Sequence, residues 1–172
     1  MAKPDPSEYN PYFERYIGTV SDGEILEILI SQREAFVDFL DTVGEERASL
    51  RYAPGKWSIN QVVGHIVDTE RIFGARALAI VRGERAPLPS FEQDEYVEEA
   101  NFDDRTLASL TAEFESLRRS HLALFGSFDD ELWLRRGMAG GNEVSVRAIA
   151  WILAGHLIHH EGVIRDRYLK TR

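Results

Sequence analysis

The sequence predicts an all-α fold, a four-helix bundle formed by one domain. Four long segments carry apolar residues at alternating spacings of three and four, as one face of a helix does. Capping-box patterns precede two of these segments, and a long proline-containing stretch separates the second from the third. The 172 residues are 44% hydrophobic, which is enough for a single domain with its own core.

The chain begins with a predicted irregular arm, residues 1–20, which is rich in proline and tyrosine. We expect its aromatic side chains to pack on the bundle. Ser21 and Glu24 have the spacing of a capping box, so helix one is predicted to begin there. Its apolar face continues to Val43, and Gly44 is a suitable end.

Helix two is predicted to follow a second capping box, formed by Ser58 and Gln61, and to end near Gly83. The tract Pro87-Leu88-Pro89 then requires extended backbone. The connection to helix three is therefore a long crossover, in which residues 92–99 can form one short helix.

Helix three is predicted to span residues 102 to about 128, and a polar, glycine-rich loop follows it. Residues 138–144 of this loop could form a short hairpin, although a plain turn explains them equally well. Ser145 is the predicted cap of helix four, which reaches Leu169. No strand pattern competes with the helices, and residues 1–172 are predicted to form a single domain.

Composition excludes several functional classes. The chain has no cysteine, which excludes disulfides, thiolate catalysis and cysteine-bound metal. The N-terminus lacks the pattern of a signal peptide, so we expect a cytoplasmic protein. A net charge of −9 disfavours nucleic acid as a partner. No apolar run approaches the roughly 18–20 residues that cross a bilayer, so no membrane association is expected.

Three histidines lie on the predicted inward faces. His156 and His160 are one helical turn apart on helix four, and His65 continues the apolar stripe of helix two. A buried imidazole is costly unless its nitrogens are satisfied, and one divalent ion would satisfy a nitrogen on each ring. Three neutral imidazoles leave coordination positions open to water or substrate, as catalytic sites do. We therefore predict a metal site; three separate core histidines are the alternative.

Other polar residues are candidates for supporting this site. His159 also shares a face with His156, but it fits the apolar stripe less well than His160 and is predicted at the rim. Asp68 and Glu161 lie near the predicted ligands in sequence and could accept a hydrogen bond from a ring nitrogen that does not bind metal. The alternative for both acids is a solvated surface position.

Four further features bear on the predicted function. Arg76 lies on the stripe of helix two and could bind an anionic group, although an ion pair with a neighbouring acid is the more usual role. His121 has no partner at ligand spacing and is interpreted as an ordinary boundary residue. The arm around Tyr9 and Tyr12 and the crossover at residues 91–96 are expected to form pocket walls. No residue stands out as a general base, so the catalytic residues stay unknown.

Two tracts resemble a known family. Residues 57–71, WSINQVVGHIVDTER, and residues 155–162, GHLIHHEG, resemble the DinB superfamily, and the similarity extends from Tyr9 to Leu169. Residues 87–97 also resemble the family's crossover. One departure is that His160 is followed by Glu-Gly, where many relatives have Gly-Gln.

The resemblance implies an up-down-down-up four-helix bundle and a frequent homodimer. It implies that His65, His156 and His160 hold a divalent metal ion, often zinc or nickel. Characterised members include enzymes that use a low-molecular-weight thiol, so the expected activity is that of a metal-dependent thiol S-transferase or hydrolase with a small-molecule substrate. The alternative is a stress-response protein that binds a metal or small ligand without catalysis.

Overall fold

Four long helices dominate the protein, and the computed structural model describes residues 1–170. The predicted four-helix bundle is confirmed. Single turns of 3-10 helix occur at Pro6–Glu8, Pro11–Phe13, Glu45–Arg47 and Phe102–Asp104, and a π-helical turn, Ile164–Leu169, extends the last helix. The helices and strands are α1 (Glu14–Ile17), α2 (Ile25–Val43), α3 (Ile59–Val81), α4 (Gln93–Glu99), α5 (Leu107–Phe125), α6 (Asp130–Leu134), β1 (Arg136–Ala139), β2 (Asn142–Ser145) and α7 (Val146–Val163).

Helices α3 and α5 lie side by side and run in the same direction. Near their starts, Asn60 Nδ2 donates to the carbonyl of Arg105 at 2.7 Å. Further along both helices, Arg118 Nε donates to Glu70 Oε2 at 3.2 Å. Two consecutive long helices can be parallel only if the chain returns along the bundle between them. The extended segment and α4 provide that return.

Helices α2 and α7 run opposite to α3 and α5. The hydroxyl of Tyr168, beyond the end of α7, donates to the carbonyl of Trp57, just before α3, at 2.7 Å. Glu45, beyond the end of α2, accepts from the backbone N–H of Leu107 at the start of α5, at 3.0 Å. These contacts place α7 against α3 in antiparallel orientation, which is the arrangement that positions the candidate site.

Two helix starts agree with their predicted caps. Ser58 Oγ accepts from the backbone N–H of Gln61 at 3.0 Å, and Gln61 Oε1 accepts from the backbone N–H of Ser58 at 3.0 Å. Ser145 Oγ accepts from the backbone N–H of Ala148 at 2.9 Å and begins α7. Because α3 and α7 carry the histidines, these caps also set the register of the site.

The capping box predicted at Ser21 and Glu24 is wrong. Helix α2 begins later, at Ile25, and no side chain caps it. The reason is that a bend at Asp22 and Gly23 separates Ser21 from the helix, and the Glu24 carboxylate binds the N-terminal ammonium of Met1 instead of reaching back to Ser21.

The third long helix is shorter than predicted at both ends. Residues 102–104 form a separate 3-10 turn, and α5 starts after Thr106, whose Oγ1 accepts from the backbone N–H of Ser109 at 3.1 Å. Helix α5 ends at Phe125, and α6 was not predicted. The possible hairpin is present, with β1 and β2 antiparallel around Gly140 and Gly141, whose φ values of 58° and 78° suit glycine.

The N-terminal arm is more regular than predicted and is packed into the bundle. Glu8 is buried, and its Oε2 accepts from Ser145 Oγ at 2.7 Å and from Arg147 Nε at 3.1 Å. A Cβ built on Gly155 would lie 2.1 Å from the carbonyl oxygen of Tyr16. Glycine at this position therefore allows the backbone of the arm to lie directly on α7.

The core consists of two apolar clusters with a polar layer between them. One cluster surrounds Trp151 and includes Phe73, and the other surrounds Phe36 and Phe114. The polar layer crosses the bundle and consists of the buried residues His65, Thr69, Glu70, Arg118, His121 and His156. Within residues 1–170, no helix is both long and apolar enough to span a membrane.

Candidate metal centre

The three predicted ligands come together at the contact between α3 and α7. One ring nitrogen from each of His65, His156 and His160 lies within 4.8 Å of the others. The Nε2 atoms of His65 and His156 are 3.0 Å apart. Nitrogens that share one ion at about 2.1 Å are separated by roughly 3–3.5 Å. His65 and His156 already have such a spacing, and a small ring movement would bring His160 to it, so the donor set fits a divalent ion.

Burial keeps these rings in the neutral form that binds metals. His65 is 2% exposed and His156 is 6% exposed. Burial lowers the pKa of His65 to about 4 and that of His160 to about 2, and it holds the pKa of His156 well below its ordinary value. Neighbouring histidines act in the same direction, because two nearby imidazoles do not both become charged. Protons therefore compete weakly for the nitrogens at neutral pH.

Aromatic side chains hold the ligand rings in place. The indole of Trp57 lies against His65 with ring centroids 5.1 Å apart. The edge of Tyr16 meets His156 at 5.4 Å, and the Tyr16 hydroxyl accepts from Arg15 Nη2 at 2.6 Å. Tyr16 belongs to the arm and restricts the ring of His156 on α7. Trp57 belongs to the turn before α3 and restricts the ring of His65.

The proposed supporting residues lie around the trio in different ways. His159 is exposed, and its ring meets Tyr16 at 5.4 Å and His160 at 4.9 Å. Glu161 is paired with Arg165 at 2.7 Å. In the described part of the chain, neither Glu161 nor Asp68 makes a hydrogen bond to the three rings.

Asp68 lies on the side of α3 that faces α5. Burial is the main cause that raises its pKa, and the carboxylate of Glu113 adds to the rise, while Arg71 and Arg105 oppose it. Of these charged neighbours, Arg71 belongs to α3, Glu113 to α5, and Arg105 to the segment just before α5. The structure thus brings together the three ligands predicted from sequence and leaves the predicted carboxylates apart from them.

An aromatic cavity of about 410 Å³ opens beside His65 and His156. The arm and the crossover form part of its wall, as predicted, through Tyr12 and Phe91. Tyr9 is instead buried and donates to Glu14 Oε2 at 2.6 Å. The lining of this aromatic cavity includes Phe13, His65, Thr69, Phe73, Arg76, Phe91, Glu92, Asp94, Glu143 and His156.

A second cavity of about 720 Å³ lies on the side of His160 and His159. Its wall contains Trp57 and Tyr168, and it carries both cations, Arg51 and Lys56, and carboxylates, Asp94 and Glu98. Asp94 of α4 lines both cavities. The histidine trio therefore lies between two cavities, and each cavity reaches at least one of the three rings.

A buried ion pair next to the site was missed by sequence reasoning. His121 is not a boundary residue: it is buried, and its Nδ1 lies 2.9 Å from Glu70 Oε2. Burial would raise the pKa of Glu70, but Arg118 and His121 outweigh burial and hold it below its ordinary value. The available signal was that Glu70 and Arg118 interrupt otherwise inward-facing positions. Both side chains are buried there, so each charge needs a partner inside the protein.

Comparison with known proteins agrees with this architecture. A family model described as the DinB superfamily matches residues 28–164. The fold is similar to that of YfiT from Bacillus subtilis, described as a probable metal-dependent hydrolase with an unusual four-helix bundle topology. The TM-score is 0.74, with 16% identity over 98% of this chain and 92% of that one.

A second similar structure is the mycothiol-dependent maleylpyruvate isomerase, with a TM-score of 0.66 and 14% identity. The similarity covers 79% of this chain but only 57% of the isomerase. No curated protein matches the sequence. Identities this low show a shared fold and carry no assignment of substrate. The family model covers most of the chain, and with the same four-helix fold it shows that the protein belongs to the DinB superfamily.

Proposed function

We propose that this protein is a metal-dependent enzyme that binds one divalent ion through His65, His156 and His160. It would act on a small molecule with either a low-molecular-weight thiol or water as the second reactant. The observation that best supports this proposal is a trio of neutral imidazoles, two buried and one half-buried, within 4.8 Å of one another between two cavities. Zinc and nickel are the ions we propose, because both accept imidazole ligands.

A bound dication would supply Lewis acidity and lower the pKa of a water or thiol that binds beside it. The protein's own residues would hold the trio and its surroundings in place. Trp57 and Tyr16 restrict the rings of His65 and His156. Phe73 and Phe91 give the aromatic cavity an apolar wall. Because the chain has no cysteine, a thiol nucleophile would have to come from a cosubstrate.

The two similar structures motivate the two reaction classes. One is described as a probable metal-dependent hydrolase and the other as a mycothiol-dependent isomerase. Two cavities that meet at one trio suit a reaction of two different molecules, which favours thiol transfer over hydrolysis. We further propose a cytoplasmic homodimer, on the strength of the family resemblance.

Elemental analysis of untagged protein tests the metal site directly. We expect about one zinc or nickel ion per chain after incubation with either metal, and loss of that ion in the double variant His156→Ala/His160→Ala. His159→Ala is the matched control, because this exposed histidine lies on the same helix outside the trio. Absence of metal from the parent protein under these conditions would contradict the proposal.

The alternative function is the binding of a metal or small ligand without turnover, as in a stress-response protein. The observation in its favour is that no carboxylate among residues 1–170 is hydrogen-bonded to the three rings. Metal-loaded protein would be assayed with several thiols and electrophiles, and with ester and amide substrates. Full metal occupancy without turnover in all of these assays would favour the alternative.

A further inference from the structure

One face of α3 lines the aromatic cavity with a series of chemically different groups. His65, Thr69, Phe73 and Arg76 follow one another at spacings of four, four and three residues, so they lie on the same side of the helix. A rise of about 1.5 Å per residue separates the first and last backbone positions by roughly 16 Å. The wall of the cavity therefore contains a histidine, a threonine, a phenylalanine and an arginine in a row along α3.

The hydroxyl of Thr69 has no partner. The side chain is 2% exposed, and its Oγ1 makes no hydrogen bond to any residue in the described part of the chain. A buried threonine in a helix usually donates to the carbonyl one turn earlier. Thr111 of α5 does so, with Oγ1 2.8 Å from the Leu107 carbonyl. Since an unpaired buried hydroxyl is unfavourable, a rotation of the Thr69 side chain would let Oγ1 pair with a polar atom bound in the cavity that this residue lines.

Arg76 is also only partly satisfied. Its Nη2 donates to the carbonyl of Pro89 at 2.7 Å, and its guanidinium lies 4.9 Å from the ring centroid of Phe73 and 5.8 Å from that of Phe91. The ion pair that the sequence favoured is absent: across residues 1–170, Arg76 pairs with no carboxylate. By contrast, the exposed Arg71 of the same helix is paired with Glu113.

The position of Arg76 suits a planar anion. Stacking on two aromatic rings and the bond to Pro89 fix the guanidinium plane. The second hydrogen of Nη2, together with either Nε–H or Nη1–H, remains as a fork of donors that matches the two oxygens of a carboxylate. Burial lowers the pKa of Arg76, which means that its charge is poorly solvated where it lies. A bound anion would compensate for this loss of solvation.

The rim of the cavity limits the charge of the ligand. Glu92 and Asp94 line the same space and are exposed, whereas Glu143 beside them is paired with Arg136 at 2.9 Å. The carboxylates of Glu92 and Asp94 oppose a second negative charge near them, so a dianion such as a phosphate ester is disfavoured relative to a monoanion. The aromatic rings between Thr69 and Arg76 favour an apolar body.

We propose that the aromatic cavity binds an apolar monocarboxylate, with Arg76 on the carboxylate and Thr69 on a polar group at the opposite end, beside His65. This inference names the substrate class for the same site. It rests on the proposed function only for the end of the ligand that lies beside His65. Recognition of the carboxylate by Arg76 does not require a metal.

Calorimetric titration with three probes tests this subsite: 4-phenylbutyrate, its neutral primary amide, and 4-(4-carbamoylphenyl)butyrate. We expect the carboxylate to bind at least about 10-fold tighter than the amide, since a charge-assisted pair is lost in the amide. Arg76→Gln should remove this difference, and the control Arg71→Gln should keep it. Equal binding of the two probes, or an Arg76→Gln variant that keeps the preference, would overturn the proposal.

Thr69→Val tests the hydroxyl. The carbamoyl group should improve binding of the carboxylate probe several-fold in the parent and in the control Thr111→Val, and the gain should be absent in Thr69→Val. A gain that survives in Thr69→Val would overturn the role of Thr69. Circular dichroism would show whether each variant folds. If Arg76→Gln does not fold, Arg76→Lys decides, because it keeps the charge but should weaken carboxylate binding several-fold by losing the fork.

All titrations would be made on chelator-treated and on metal-loaded protein, because a carboxylate can also bind a metal ion directly. A preference that depends on Arg76 in both forms supports the subsite. If the protein binds no metal and the preference persists, the proposed function fails and the subsite stands. If metal binds and the carboxylate preference depends only on the metal, the subsite is wrong and the proposed function stands.

Discussion

The ring of His121 occupies the space where a side chain on residue 74 would begin. A Cβ built on Gly74 would lie 2.0 Å from His121 Nε2. The other ring nitrogen, Nδ1, lies 2.9 Å from Glu70 Oε2, which holds the ring against α3. A glycine inside a helix normally destabilises it relative to alanine. Here the absence of a Cβ is what allows α5 to place a buried histidine on α3.

We therefore expect Gly74→Ala to destabilise the protein by about 1–3 kcal/mol, because overpacking outweighs the gain in helix propensity. Urea denaturation measures the change. The matched control is Gly162→Ala in α7, where nothing lies within 4 Å of the built Cβ. That substitution should stabilise the protein by roughly 0.5–1 kcal/mol. A Gly74→Ala variant as stable as the parent would contradict the packing described.

Removing Arg118 should be far more damaging than removing its neighbour. Arg118→Met leaves the Glu70 carboxylate buried without its main partner, and we expect a loss of about 3–5 kcal/mol in the free energy of unfolding. Arg119 forms an exposed pair with Glu115 at 2.6 Å, so Arg119→Met should change stability by less than about 1 kcal/mol. Guanidinium denaturation of both variants gives the comparison. Similar losses would show that the buried pair has no special role.

The histidine trio was predictable from the sequence because its information is local. His156 and His160 share a face of one helix, whatever that helix packs against, and His65 follows from the inward stripe of α3. The pairing of Glu70 with Arg118 depends on the register of α5 against α3, which no local pattern contains.

The errors at helix starts have a similar cause. Ser21 has the right spacing for a capping box, but the spacing alone cannot show that a bend separates it from α2. Thr106, the true cap of α5, follows a 3-10 turn whose acidic residues resemble a helix start. The capping box at Ser58 and Gln61 was predictable because the apolar stripe of α3 starts immediately after it.

The stability of the metal-free protein should depend on pH through its buried histidines. Burial lowers the pKa of His65 to about 4, whereas an unfolded chain has its ordinary value near 6.5. The unfolded state therefore binds the proton first, so the contribution is complete above pH 6.5 and is lost as pH falls towards 4. His65 alone accounts for up to about 3 kcal/mol of this loss.

Urea denaturation of chelator-treated protein at pH 7.5, 6 and 5 tests this dependence. The free energy of unfolding should fall as the pH is lowered, and it should fall less in His65→Asn, which lacks the titrating ring. An equal fall in both proteins would show that His65 is not the group responsible.

His65→Ala should lose most of the bound metal while it keeps much of its helix content, because α3 retains its cap and its apolar face. Metal is measured by elemental analysis, and helix content by circular dichroism. His159→Ala should bind about as much metal as the parent protein. Full metal retention in His65→Ala would remove His65 from the site and leave a site on α7 alone.

The contact between the arm and α7 has a consequence for how the site is assembled during synthesis. Glu8 accepts hydrogen bonds from Ser145 and Arg147, which lie 137 and 139 residues later in the chain. The arm must therefore wait for α7, which is translated much later. Contacts that join distant parts of a chain form slowly. The arm can close over His156 only once α7 has left the ribosome, so this part of the cavity wall forms after α7 has been synthesised.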